Sequence, residues 1–177
     1  MKGLPIHSLL FLVALAGPAA HAEVTAQSPA AFTIAHRAEV PAPPERVFGA
    51  IGEIGRWWNG AHTYSGSAAN LRLDMEAGGC FCERWDGGSV EHARVLYVGR
   101  GKSVRLLGGL GPLQMLPVNA VLTIEVSAAP EGRTALAWTY RVAGPADAAL
   151  QEWAAPVDRV IGEQASRLAA YVQATKP

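Results

Sequence analysis

Gly78-Gly79-Cys80-Phe81-Cys82-Glu83-Arg84-Trp85 runs into Asp86-Gly87-Gly88 and then Ser89-Val90-Glu91-His92-Ala93-Arg94-Val95-Leu96-Tyr97-Val98. The glycines mark a strand entry and a tight turn, and the residues on either side are β-branched, aromatic or alternately polar, which is the signature of a β-hairpin. Alternate residues of a strand share a face, so Phe81, Glu83 and Trp85 fall on one side. The length of the turn decides what they meet. A three-residue loop sets Trp85 opposite Ser89 and Cys82 opposite His92, with Phe81, Trp85, Val95 and Tyr97 inside. A two-residue loop makes Glu83 and His92 an acid–base pair. A one-sided sheet favours the first register, because it sends Arg84, His92 and Arg94 outward.

Outward from this hairpin, strand and turn continue from Leu71 to Val142, punctuated by Gly99-Arg100-Gly101 and Pro130-Glu131-Gly132. By parity, Val104 and Leu106, then Leu122, Ile124 and Val126, then Leu136, Trp138 and Tyr140 form apolar faces. Phe32 to Val40 reads as an earlier strand. Pro41-Ala42-Pro43-Pro44 ends it and pre-sets a helix over Glu45 to Ala50, and a second short helix is expected over about Glu53 to Trp58. From Ala146 onward Trp153, Val157, Val160, Ile161, Leu168 and Val172 recur at helical spacing. Pro156 is expected to kink or divide that helix.

An antiparallel sheet that is apolar on one face needs a cover, and one long helix is available. The expected fold class is α+β, a curved antiparallel sheet wrapped around a long C-terminal helix, with two short helices after the first strand. The Gly-Gly-x-Phe-x-Glu pattern at 78–83, about twenty residues after Trp57-Trp58, resembles the SRPBCC superfamily of START-like and Bet v 1-like helix-grip proteins. The resemblance is to the branch related to Hsp90-ATPase activators and polyketide cyclases, and it extends over roughly Phe32 to Val172. It implies a helix-grip fold with a cavity between sheet and helix.

Residues 1–22 read as a signal peptide, with Lys2, an apolar run over Leu9 to Ala16 and Ala20-His21-Ala22 as the small-x-small cleavage pattern. The expected mature chain starts at Glu23 in a periplasmic or secreted setting, with a mobile lead over 23–31 and one domain over 32–174. About 150 residues suffice for a single core that buries roughly two thirds of the unfolded surface. Fifteen basic and fifteen acidic residues give zero formal charge, which provides no electrostatic footprint for nucleic acid. No later stretch of the mature chain approaches the about 18 apolar residues needed for stable membrane insertion.

The expected partner is therefore a small apolar ligand, and oligomeric state is left open. The candidate ligand-binding residues are Trp58, His62, Tyr64, Phe81, Glu83, Trp85, Tyr97, Met115, Trp138, Tyr140 and Trp153. The loop Gly108 to Pro117 is flexible and apolar, and it reads either as a lid over the open end or as a wide sheet corner. Glu83, a carboxylate on an apolar wall, is the candidate proton-transfer group or anchor for a ligand hydroxyl, with its pKa expected to rise through desolvation. The alternative is that it pairs with Arg72, Arg94 or another cation, or sits at the rim in water. Cys80 and Cys82 leave three alternatives. They are neutral thiols, a strained disulfide that requires a local bulge because regular strand residues two apart have Cβ atoms about 6.5 Å apart, or, with His92, soft ligands for a metal. No nucleotide loop, hydrolase elbow or zinc-protease motif occurs, and no cofactor is expected.

Three functions fit. The first is an exported carrier of a small apolar, lipid-like or polyketide-like molecule. The second is a cyclase or dehydratase using Glu83, with Tyr97 or His62. The third is an interaction module of the kind the Hsp90-activator resemblance implies, although an exported chain would not meet cytosolic Hsp90.

Overall fold

The computed structural model describes residues 21–175. Eight antiparallel strands form one curved sheet: β1 (His21–Ser28), β2 (Ala31–Val40), β3 (Leu71–Leu73), β4 (Cys80–Trp85), β5 (Gly88–Gly99), β6 (Ser103–Leu107), β7 (Asn119–Ala128) and β8 (Thr134–Ala143). Their spatial order is β1-β2-β8-β7-β6-β5-β4-β3. Among the described residues there are two α-helices, α1 (Pro44–Gly52) and the long α2 (Gln151–Ala174), which lies in the concave face. This is the helix-grip fold, as the resemblance implies. Among the described residues no helix is long and apolar enough to cross a membrane.

The parity of β6, β7 and β8 is as the sequence suggests. Val104, Leu106, Leu122, Ile124, Leu136, Trp138 and Tyr140 are all buried, and the ladders between these strands run without a break. Trp138 lies edge-on to Trp57 at 6.1 Å between ring centres.

The expected signal peptide over 1–22 falls mainly on residues 1–20, outside the described residues. Several other expectations are corrected. The stretch 23–31 is for the most part not a lead, because His21–Ser28 is an edge strand on β2. Its ladder bonds are backbone bonds, which polar residues make as well as apolar ones, and a polar edge strand is a normal sheet boundary. The second short helix shrinks to a 3-10 turn over Ile54–Arg56, where Gly55 packs so tightly that an added Cβ would meet the Ala68 and Leu71 carbonyls at 3.0 Å. Pro156 neither splits nor ends α2. It stands in the second turn, where the one hydrogen bond its nitrogen cannot make is lost near the helix start.

The hairpin register is also corrected. The turn has two residues, Asp86 and Gly87, the latter at φ 84°, and Trp85 pairs with Gly88. Glu83 is therefore opposite Val90 and Cys82 opposite Glu91, after which the ladder slips and Phe81 pairs with Ala93. His92 is the extra residue of a β-bulge. A bulge resets the alternation, so His92 and Ala93 both face inward and Val95 follows, while Arg94 stays outside. A second irregularity near Leu96 turns Tyr97 outward, 48% exposed, with Arg105 above its ring at 5.5 Å. Tyr97 is consequently not on the inner wall.

Candidate functional site

A pocket of about 510 Å³ opens between the first half of α2 and the end of the sheet formed by β4 and β5. On α2, Trp153, Val157, Val160 and Ile161 form one wall. Their spacing is the helical period read from the sequence, and it places these four on one side of the helix. Phe81 and His92 form the sheet wall, and Trp58, His62 and Tyr64 come from the chain between α1 and β3. Leu110 and Met115 complete the rim, with Met115 81% exposed. The surface is dominated by aliphatic and aromatic groups, the composition expected of a small-molecule site. A more open groove of about 1020 Å³ lies elsewhere, bordered by Arg37, Glu39, Lys102 and Glu125. It contains no buried titratable pair, and the smaller pocket is the candidate site on that ground.

Glu83 is completely buried behind the pocket wall. Its Oε1 accepts the Ser65 N–H at 2.6 Å, and its Oε2 accepts the Tyr64 N–H at 3.0 Å. The same Oε2 lies 3.0 Å from His92 Nε2. Desolvation pushes the Glu83 pKa up, but hydrogen bonds from Ser65, Tyr64 and His92 outweigh it and hold the carboxyl below its usual range, as bonding to the charged form does. The expected upward shift is thus reversed. The donors that reverse it come from residues 18 and 19 positions away. His92 is shifted in the same direction for a different reason. Its own burial disfavours the charged ring, and the Glu83 carboxylate offsets only part of that.

His92 lies beside two aromatic rings, Phe81 at 4.8 Å and Tyr64 at 5.8 Å between ring centres. Trp58 stacks edge-on to Phe81 at 5.4 Å. The carboxylate fixes the imidazole and the aromatics confine it, so the residue that reaches the pocket is His92 and not Glu83. The sequence contained a signal for this. Val90 and His92 keep one parity while Ala93 and Val95 keep the other, and only a bulge puts all four on one face.

The remaining candidates divide by position. His62 stands at the rim, 3.0 Å from Glu163 of α2. Asn59 also donates to Glu163, and its backbone N–H donates to Gln164 at 2.8 Å, so the rim loop is tied to the helix at three points. Tyr64 is half-exposed, its hydroxyl within 3.3 Å of Gly111 O and Gln114 Oε1. Trp85 packs over Gly88 of its own turn and does not reach the pocket. Trp138 and Tyr140 belong to the core beneath it.

Tyr140 has a structural task. Its hydroxyl donates to Gly108 O and accepts from Leu110 N, both at 2.9 Å, and burial raises its pKa far above the usual tyrosine value. These bonds, with buried Leu113, pin the loop read as a lid. Gly108 sits so close to the bulge that a Cβ there would lie 2.4 Å from His92 O.

Cys80 and Cys82 form a disulfide with Cα atoms 5.3 Å apart. This is shorter than the roughly 6.6 Å of a regular two-residue step, and the contraction lies opposite the bulge. The trio Cys80, Cys82 and His92 is not assembled as a metal site. The sulfurs are bonded to each other on the outer face, and His92 is inside. Glu91 is the nearby polar group there, engaged by Arg94 at 2.5 Å.

No protein-family model matches the chain, and no curated protein matches it by sequence. Solved structures do match by shape. A Mesorhizobium loti protein, MLL2253, superposes with a TM-score of 0.60 at 17% identity, over 82% of this chain and 99% of its own. CalU16 from Micromonospora echinospora gives 0.60 at 14% identity, over 90% and 88%. Ara h 8.0201 gives 0.55 at 12% identity, over 82% and 99%. At such identities the likeness establishes the fold, a Bet v 1-like helix grip, and function must come from the site.

Proposed function

We propose that the protein binds a small apolar molecule, aromatic or lipid-like, in the pocket between α2 and the β4–β5 end of the sheet. The observation that carries this reading is the pocket itself: about 510 Å³, walled by Trp58, Phe81, Trp153, Val157, Val160 and Ile161, with one oriented imidazole on its wall. Burial of apolar ligand surface supplies the affinity, at about 25 cal/mol per Å² before the costs of association.

The experiment is titration of tryptophan fluorescence, since Trp58 and Trp153 line the pocket, against a panel of apolar aromatics and fatty acids. Saturable binding that is lost in Val157→Asp, with the fold retained by circular dichroism, is the expected result. Binding that survives Val157→Asp would locate the ligand elsewhere.

The Glu83–His92 pair favours a second reading, an enzyme of the cyclase or dehydratase type. A carboxylate that orients an imidazole is a recurrent proton-transfer device. Here Glu83 is the orienting partner and His92 the group that meets the substrate, in place of direct transfer by Glu83. Turnover by native protein but not by His92→Gln, across a panel of enolisable polycarbonyl compounds, would select this reading.

Export is part of the proposal. The leader-like sequence at 1–22 supports it, as does the Cys80–Cys82 disulfide, since such bonds persist in oxidising compartments. N-terminal sequencing of the mature protein should begin at Glu23, which removes two residues of β1 and keeps the rest of its pairing. An uncleaved Met1 would refute it.

A further inference from the structure

We infer that the pocket selects neutral aromatic molecules carrying a hydroxyl, which is donated to Nδ1 of His92. The inference rests on the ligand-binding reading above and deepens it. Glu83 accepts from Tyr64 N–H and Ser65 N–H, and an ionised carboxylate is an acceptor only. The 3.0 Å contact with His92 Nε2 therefore requires the proton to be on Nε2. A neutral imidazole has one N–H and one lone pair, so the lone pair is on Nδ1.

Among the described residues no protein donor is hydrogen-bonded to Nδ1. His92 is 5% exposed, and what exposure it has faces an apolar cavity. Nδ1 has no protein partner and is not one of the inaccessible unpaired atoms of the fold, so it keeps accessible surface, and a ligand hydroxyl can reach it and become its partner. The downward shift of the His92 pKa, caused first by burial, agrees with a neutral ring.

The rest of the wall sharpens the selection. The other polar groups near the cavity are already engaged: His62 with Glu163, Thr63 Oγ1 with Gly60 O at 2.7 Å, and the Tyr64 hydroxyl beside Gly111 O and Gln114. The wall thus presents the His92 Nδ1 lone pair and no uncommitted hydroxyl donor, while His62, engaged through Nε2, has its second ring nitrogen only at the partly solvated rim. An anionic ligand would place its charge against the Nδ1 lone pair, with the Glu83 carboxylate directly behind the ring, and like charges in a site of low dielectric repel strongly. The adjacent rings of Phe81 and Tyr64 favour a flat aromatic skeleton, and the volume accommodates a bicyclic or tricyclic one.

The test uses the full mature chain with naphthol, its methyl ether methoxynaphthalene, and naphthoate, titrated by calorimetry at neutral pH. Naphthol should bind about tenfold more tightly than the ether, the value of one well-placed hydrogen bond in a dry site, and naphthoate more weakly than either. In His92→Phe the preference for naphthol over the ether should vanish while the ether still binds, which also shows that the variant is folded. Independently of any variant, heteronuclear NMR of the imidazole nitrogens in the free protein should show His92 protonated on Nε2 and bare on Nδ1. Equal binding of the three compounds, survival of the preference in His92→Phe, or a proton on Nδ1 would each overturn this inference and leave the ligand pocket standing. Failure of all three compounds to bind would overturn the pocket and the inference together.

Discussion

His36 on β2 and His92 on β5 both project from the inner face of the sheet, and each meets a carboxylate, Asp158 at 2.9 Å and Glu83 at 3.0 Å. Both rings are nearly as inaccessible, at 6% and 5% exposure. What surrounds them differs. His36 is pressed against α2 at Gly162, where an added Cβ would lie 2.5 Å from the ring, and it borders only a narrow groove of about 220 Å³. His36 Nε2 and Asp158 Oδ1 approach each other without hydrogen-bond geometry. His92 faces the large pocket, and its carboxylate is held by two backbone N–H groups. A histidine beside an acid does not make a site. Orientation of the ring and open space in front of it do.

If this contrast is right, the sealed half of the sheet owes its stability to packing. Trp138 is cross-strand partner to His36 and is 1% exposed. Trp138→Ala should cost about 3–5 kcal/mol in chemical denaturation, the range for a large aromatic removed from a core. Trp58→Ala should cost less, because its ring already faces a cavity on one side. Equal losses would break the division between a sealed half and an open half.

The pocket half should depend on polar contacts and on pH. Glu83→Gln keeps the shape but sets an amide NH₂ toward one of three donors, for a loss of about 1–3 kcal/mol. The acid dependence follows from the direction of the shifts. Both Glu83 and His92 have folded pKa values below their ordinary 4.5 and 6.5, so the unfolded chain binds more protons as each titrates, and stability rises with pH. The His92 contribution is complete above its unfolded value and is lost as pH falls below about 6.5. The Glu83 contribution is complete above about 4.5 and is lost below it. Denaturation curves of the native protein and Glu83→Gln should therefore converge in acid, and a constant difference from neutral pH to pH 3 would show that Glu83 is not ionised in the fold.

Gly162→Ala probes the sealed pair in the opposite sense. The new methyl displaces the His36 ring at a cost of about 1–2 kcal/mol, and His36→Ala in the same chain should relieve most of it, since residues in contact are not additive. Ligand affinity in the open pocket should not change. An effect on ligand binding as large as that of a pocket variant would mean that the two pairs are coupled through α2.

Much of the fold was legible in the sequence because most strands are regular. The alternation of Leu122, Ile124 and Val126, and of Leu136, Trp138 and Tyr140, gave the correct inner face, since nothing interrupts those ladders. The same counting failed on β5. Each of its two irregularities resets parity, which put Tyr97 outside and His92 inside. Bulges respond to neighbours such as Gly108, and those contacts arise only when the chain is folded. Glu83 was legible as an inward carboxylate, but its loop donors were not. Their positions depend on the path of the chain between α1 and β3, which is fixed by packing and not by a local motif. His36 and Gly162 gave no signal at all, because their complementarity joins positions far apart in the chain.

A third histidine, His62, supplies the mildest test, because its pair with Glu163 lies at the pocket rim with side chains 33% and 37% exposed. Burial raises the Glu163 pKa, but the bonds from Asn59 and His62 outweigh it and bring the carboxyl down. Partly solvated pairs of this kind contribute about 0–1 kcal/mol. His62→Ala also leaves the Asn59 bonds to Glu163 and Gln164 in place. Stability should therefore change by less than about 1 kcal/mol, and the small difference should shrink further in high salt. What should change is the mouth. With one of three ties between the rim loop and α2 removed, a bound aromatic should leave faster in stopped-flow displacement, while the His92 ring resonances stay where they are. A large loss of stability, or a shift of those resonances, would show that the rim pair and the buried pair form one network, and the distinction between a partly solvated rim and an oriented wall would have to be withdrawn.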